Sequence, residues 1–175
     1  EEEDFVVQGP IELAKEIYAR LDKYLIADDV ELIDESQDET AYLIVANETR
    51  RIIDGVPRWP NELFAGILPP EAGVEEKSIS YTKGCYTGQE VISRMKRAGK
   101  TNRHLVKLAL DKPLIPTKAK LLIEGQEAGF ITSVASHIEQ GEVALGYRYR
   151  KYSEADGFDV ASPSSGTIIG KAFLR

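Results

Sequence analysis

The chain has 175 residues, 42% of them hydrophobic and 29% charged, with a formal net charge of −7. That is the make-up of a globular protein of one or two small domains, long enough to bury a real core. Its single cysteine excludes an intramolecular disulfide and a cysteine-only metal site and fits a reducing compartment, so the expected location is the cytoplasm; no apolar run approaches the ~20 residues of a membrane span, and no signal peptide is visible.

The chain begins at Glu1, and its one methionine is Met95, so a processed chain or a fragment with sequence missing upstream is expected. Phe5-Val6-Val7 reads as a short strand. Gly9-Pro10 then opens a helix, with proline in the first turn where its missing donor does no harm. Ile11, Leu13, Ala14, Ile17, Tyr18, Leu21, Tyr24 and Leu25 recur at three and four, which predicts an amphipathic helix over about 10–26. Val30–Ile33 and Ala41–Ala46 read as strands, with an acidic turn over 34–39 between them. Strand, helix, strand, strand is the order of a mixed α/β layer.

Glu48–Asp54 is predicted to be a short helix ended by Gly55. Residues 55–80 carry Pro57, Pro60, Pro69 and Pro70 and read as a long, mostly irregular path. Within it Trp59 is either a plug for the loop or a stacking surface. The path leads into Tyr81-Thr82-Lys83-Gly84-Cys85-Tyr86-Thr87-Gly88-Gln89-Glu90. Thr87 to Glu90 fits a capping box, Val91, Ile92 and Met95 give an apolar side, and Gly99 is a ready helix stop. Cys85 therefore falls in a loop just before a helix N-terminus, two residues from Lys83. A cation and a helix N-terminus both favour thiolate over thiol. The competing reading is a buried small hydrophobe.

After Gly99 the pattern changes to short strands: 104–110, 119–124 and 128–135 around Gly125-Gln126-Glu127, 142–150, 158–161 and 167–174. In the fourth, Val143, Leu145, Tyr147 and Tyr149 alternate with other residues. About six strands at this spacing form a small antiparallel barrel or sandwich. The fold class expected is α+β, with an α/β part over 1–100 and a C-terminal antiparallel β-barrel over 101–175.

Charge is unevenly spread. Residues 1–80 hold 7 Lys and Arg against 20 Asp and Glu, residues 81–110 hold 7 against 1, and residues 111–175 hold 8 of each. One local basic block in an acidic protein favours a small anionic ligand over extended nucleic-acid binding. His104 and His137 stand apart from any triad pattern and, with Cys85, lack metal-ligand spacing, so no metal site is expected.

The octapeptide Lys83-Gly84-Cys85-Tyr86-Thr87-Gly88-Gln89-Glu90 resembles the K-G-C-[YF]-x-G-Q-E signature of the YgfZ-type folate-binding proteins, relatives of the glycine-cleavage T-protein, an aminomethyltransferase. Arg51-Ile52 with Gly55-Val56-Pro57, Leu68-Pro69-Pro70-Glu71-Ala72, Gly129 to Ser133 and Ala144 to Tyr147 are similar to further segments of that family. The resemblance implies a tetrahydrofolate-binding fold, with the first part of its N-terminal region missing here. It also implies a role in assembly or repair of iron–sulfur proteins, tRNA-modifying enzymes among them. Lys83 and Cys85 would be the reactive pair, and Arg51, Tyr86, Gln89, Glu90 and Arg94 would bind the folate. Arg94, Lys96, Arg97 and Lys100 could attract its glutamate tail. Folate and iron–sulfur client proteins are the partners implied, with no membrane.

One departure matters. T-proteins place a pterin-binding glutamate where this chain has Ile53, and Asp54 is one place off. The alternatives are accordingly a tetrahydrofolate-dependent aminomethyltransferase, which Ile53 opposes, and a non-catalytic RNA- or protein-binding module built on the basic block.

Overall fold

The structure is a computed structural model that describes residues 7, 9–24, 31–34 and 48–175. Contacts group the chain into two compact units, Glu1–Val45 and Ala46–Arg175. In the first, Pro10 precedes a helical turn at Ile11–Leu13, and α1 follows at Ala14–Tyr24. No residue of α1 is buried. Residues 31–34 carry no strand, in contrast to the strand expected at 30–33. The strands expected at 5–7 and 41–46 fall outside the described residues except Val7, which carries none.

The second unit holds α2 (Glu48–Asp54), α3 (Glu75–Ser78), α4 (Gln89–Ala98) and six strands: β1 (Arg103–Leu110), β2 (Lys120–Ile123), β3 (Gln126–His137), β4 (Gly141–Tyr149), β5 (Gly157–Ala161) and β6 (Ile168–Leu174). These strands close into an antiparallel barrel in the order β1-β4-β3-β2-β5-β6. The fold class is α+β. The change from helix and loop to strand falls between Gly99 and Arg103, and segment 46–100 groups with the barrel. Turn chemistry explains much of the order. Glu124 and Gly125 both have positive φ, 50° and 76°, the mirror-image turn that suits a two-residue hairpin between β2 and β3. Gly55 (φ 75°) and Gly99 (φ 59°) end α2 and α4 in the left-handed region.

The barrel interior is filled by Leu108, Leu121, Ile131, Ala144, Phe158, Val160 and Ala172, each at most 3% exposed. The alternating stripe on β4 lies on the opposite face. Val143 and Leu145 point outward and pack with Ile52 of α2, whereas Ala144 faces the interior. A covering helix makes the outer face of β4 apolar, so both of its faces are buried.

Candidate functional site

Two buried carboxylates fasten the path over 55–80 to the barrel. Glu62 is fully buried. Its Oε2 accepts from Arg51 Nη1 at 2.7 Å and from the Arg58 amide at 3.1 Å. Its Oε1 accepts from Thr132 Oγ1 at 2.7 Å and Ser133 Oγ at 2.6 Å, both on β3. The Glu62 carbonyl accepts from Tyr147 Oη of β4 at 2.8 Å. A charge so far from water is tolerable only with this degree of pairing.

Glu71 is the second. It is 3% exposed and accepts from the Leu68 amide at 3.2 Å, with Arg103 Nε at 3.3 Å. That Arg103 nitrogen lacks hydrogen-bond geometry, so the pair is held by charge alone. The Glu71 carbonyl receives the Leu105 amide at 2.9 Å, an anchor on β1. Between the two carboxylates, Phe64 packs edge-on to Tyr147 at 6.3 Å. The supposed irregular path is thus a sequence of pinned turns, and α3 lies at its end.

Arg51 belongs to the same network. Its Nε and Nη2 donate to the two oxygens of Glu48, Nη1 to Val56 O and Glu62, and Nη2 also to Ser133 Oγ. All five donors are used within the chain, which leaves none for the ligand expected of Arg51. The hydrogen bonds to Glu48, together with attraction to Glu62, raise the Arg51 pKa against its burial. Glu48 is held below the ordinary value of about 4.5, first by those Arg51 hydrogen bonds and then by the charges of Arg51 and Arg58, with burial opposing. A depressed carboxylate contributes stability above its unfolded pKa and loses it as pH falls through its folded pKa. The Tm of the wild type is therefore expected to drop on acidification below about 4.5, and Glu48→Gln to flatten that drop. An unchanged pH profile in thermal melts of the variant would contradict the assignment.

Past α3 the chain enters the Cys85 loop. Cys85 is exposed, which removes its reading as a buried hydrophobe. Lys83 Nζ lies 5.0 Å above the ring of Tyr86, and Lys96 Nζ of α4 lies 3.4 Å above the ring of Tyr81. Tyr81 Oη donates to Glu75 of α3 at 2.6 Å. That bond is the main reason its hydroxyl pKa is pushed up to about 12, and the nearby Tyr86 adds to the shift. Tyr86 Oη is buried without a hydrogen-bond partner. The loop is therefore framed by two tyrosines, each carrying an ammonium group.

The expected capping box does not form. The N-cap is Gly88, at φ 87°, and no side chain caps the helix. Glu90 instead accepts from Arg94 at 2.7 Å, one turn on, where both are largely exposed. A left-handed residue at the cap rotates Thr87 out of line, so its hydroxyl cannot reach the third amide. Gln89 is half-buried, and its amide donates to Tyr86 O at 3.2 Å. Lys83, Tyr86, Gln89, Glu90 and Arg94 thus share one loop and helix with Cys85, while Arg51 sits in the network of Glu62.

The histidines are occupied elsewhere. His104 bonds Thr101 Oγ1 at 2.9 Å, and His137 accepts the amides of Glu139 and Gln140. Ile53 packs with Ile52 against β4, and Asp54 accepts from Arg50 at 2.7 Å, so no carboxylate occupies the Ile53 position. No cluster of His, Cys, Asp and Glu fit to hold a metal occurs among the described residues, nor is any helix there long and apolar enough to cross a membrane. An open cleft of about 380 Å3 lies between Gly55, Gly73, Leu105 and Lys107; Asp54 lines it, and none of the residues expected to react or to bind folate does. Glu62 and Glu71 were missed by sequence reasoning. The L-P-P-E-A segment marked Glu71 only as part of a resemblance, and nothing marked Glu62.

No protein-family model matches the chain. Over 104 residues it is 36% identical to a chloroplastic protein of Arabidopsis thaliana named as a putative transferase, a match covering 59% of this chain and 24% of that protein. Among solved structures it is similar to the glycine cleavage system aminomethyltransferase T from Bartonella henselae. The TM-score is 0.61 at 18% identity, over 73% of this chain and 36% of that one. The fold is therefore aminomethyltransferase-like, and the chain spans only a part of either relative's length.

Proposed function

We propose that this chain is part of a tetrahydrofolate-binding accessory protein for the assembly or repair of iron–sulfur proteins, among them enzymes that modify tRNA. It works in the cytoplasm through the Cys85 thiol, with Lys83 beside it in sequence. The observation that carries this reading is the exposure of Cys85 on a loop whose approach is pinned to the barrel by two buried carboxylates. An exposed thiol is available to a partner. One thiolate cannot hold a cluster by itself, so a client protein or a small thiol supplies the remaining ligands.

The aminomethyltransferase-like fold supports tetrahydrofolate as the ligand. We assign its contacts to Tyr86, Gln89, Glu90 and Arg94. The orphaned Tyr86 hydroxyl fits a polar ligand group, and Arg94 fits an anionic tail. The apolar surroundings of Ile53 do not fit the polar edge of a pterin, which weighs against aminomethyl transfer as the activity.

The test is replacement of the thiol. A Cys85→Ser variant should keep tetrahydrofolate binding, measured by titration calorimetry, and lose support of an iron–sulfur client in reconstitution. Full support of the client by Cys85→Ser would remove the thiol from the proposal.

A further inference from the structure

Lys83, Lys96, Arg97 and Lys100 have no carboxylate partner among the described residues, although the whole chain holds 29 acidic residues. Of the cations on α4, Arg94 alone is ion-paired, with Glu90. The helix is thinly held. Ile92 is its one buried side chain, and Val91 is 50% exposed. An ordinary solvated helix face mixes signs through i, i+4 pairs. Here one acidic residue, Glu90, stands between the Cys85 loop and Lys100, and it is spent on Arg94, so every other charge in the stretch is positive. The loop and helix cations are joined through contact: Lys96 to Tyr81, Tyr81 near Tyr86, and Tyr86 under Lys83.

We infer that α4 and the Lys83 loop form a docking surface for an acidic protein segment, which lies beside Cys85. This rests on the accessory-factor reading above and names the kind of partner that reading requires: a protein that presents carboxylates around the point of contact. Complementary charge steers such an encounter and suppresses wrong partners. A nucleic acid is the poorer fit. The ammonium groups of Lys83 and Lys96 occupy a face of each loop tyrosine, where a base would stack. A lipid surface is a poorer fit still, because α4 offers too little apolar area for interfacial insertion.

The experiment is fluorescence anisotropy of a labelled peptide of alternating Glu and Leu, read at low and physiological salt against the folded chain. Binding is expected at low salt, weakening as salt rises. The triple variant K96E/R97E/K100E should weaken it by about tenfold or more, equivalent to about 1.4 kcal/mol. A control triple on the barrel side, K112E/K118E/K171E, changes net charge equally and should leave binding within about twofold of wild type. Poly(U) and phosphatidylserine vesicles should fail to displace the peptide. Circular dichroism confirms that each variant is folded. Absence of peptide binding, equal losses in both triples, or displacement by poly(U) or vesicles would overturn the docking surface. Client support by the wild type against Cys85→Ser separates the two ideas. Loss of support in the variant without peptide binding to the wild type leaves the thiol standing and ends the docking inference, while full support by the variant with peptide binding to the wild type does the reverse.

Discussion

A Glu62→Ala variant is expected to lose about 3–5 kcal/mol of unfolding free energy, a fall of about 10 °C or more in Tm for a unit of this size. Arg51, whose side chain is 3% exposed, would keep its charge and lose its one fully buried counter-ion. Thr132 and Ser133 would lose their acceptor on the loop, although Thr132 still reaches Leu145 O at 3.0 Å. The surface pairs of the same network offer a contrast. Arg58–Glu48 is half-exposed, and deleting it should cost no more than about 1 kcal/mol. Replacing both buried partners together, Arg51→Met with Glu62→Leu, should recover part of the loss, because an apolar pair avoids the desolvation of both charges. Urea unfolding of the three variants checks the set. A cost below about 1 kcal/mol for Glu62→Ala would show that the buried pair is not what seats the loop.

Gly129→Ala is expected to cost at least as much as a badly overpacked core, about 3 kcal/mol. A Cβ on Gly129 would stand 2.0 Å from Tyr147 O and 3.0 Å from its carbonyl carbon. The obstacle is backbone, so no rotamer change relieves it. Gly146, on the partner strand, meets Phe130 O at 2.6 Å in the same way. The two glycines flank the Phe130–Tyr147 pair of the β3–β4 ladder, Gly129 opposite Arg148 and Gly146 opposite Ile131. They let the two strands cross closely just where Tyr147 is aimed at Glu62. Gly157→Ala is the control. There the nearest atoms are the Phe173 ring at 3.5 Å, an ordinary contact, and the change should fall within about 0.5 kcal/mol of wild type. Thermal melts distinguish the cases, and equal Tm values for Gly129→Ala and Gly157→Ala would refute the crossing argument.

The barrel strands were legible because their cues are local. Alternation, hairpin glycines and short spacing placed all six, with ends shifted by a residue or two. What alternation could not reveal was the face. Val143 and Leu145 look like barrel interior until α2 is known to lie outside them. The Thr87 capping box failed for a related reason, since Thr-x-x-Glu also matches a loop whose next residue, Gly88, turns left-handed. The seating of the site was least visible. Glu62 lies in a stretch that reads as loop, and its partners Thr132, Ser133 and Tyr147 follow it by 70, 71 and 85 residues. No window of sequence contains that network. The exposure of Cys85 was left open by its neighbours, because a lone cysteine before a helix is equally compatible with core and surface.

The strand order has a consequence for how the chain is made. Strands β1 to β4 can assemble into a four-stranded sheet in the order β1-β4-β3-β2, which leaves β1 and β2 as bare edges. The β5–β6 hairpin then inserts between them, with β5 on β2 and β6 on β1 through Leu108 to Leu110. During synthesis both edges stay open to other chains until the stretch from Gly157 onward emerges. That hairpin acts as a late bolt. A nascent chain stalled or cut before it would carry the hydrogen-bonding edges of an aggregating sheet.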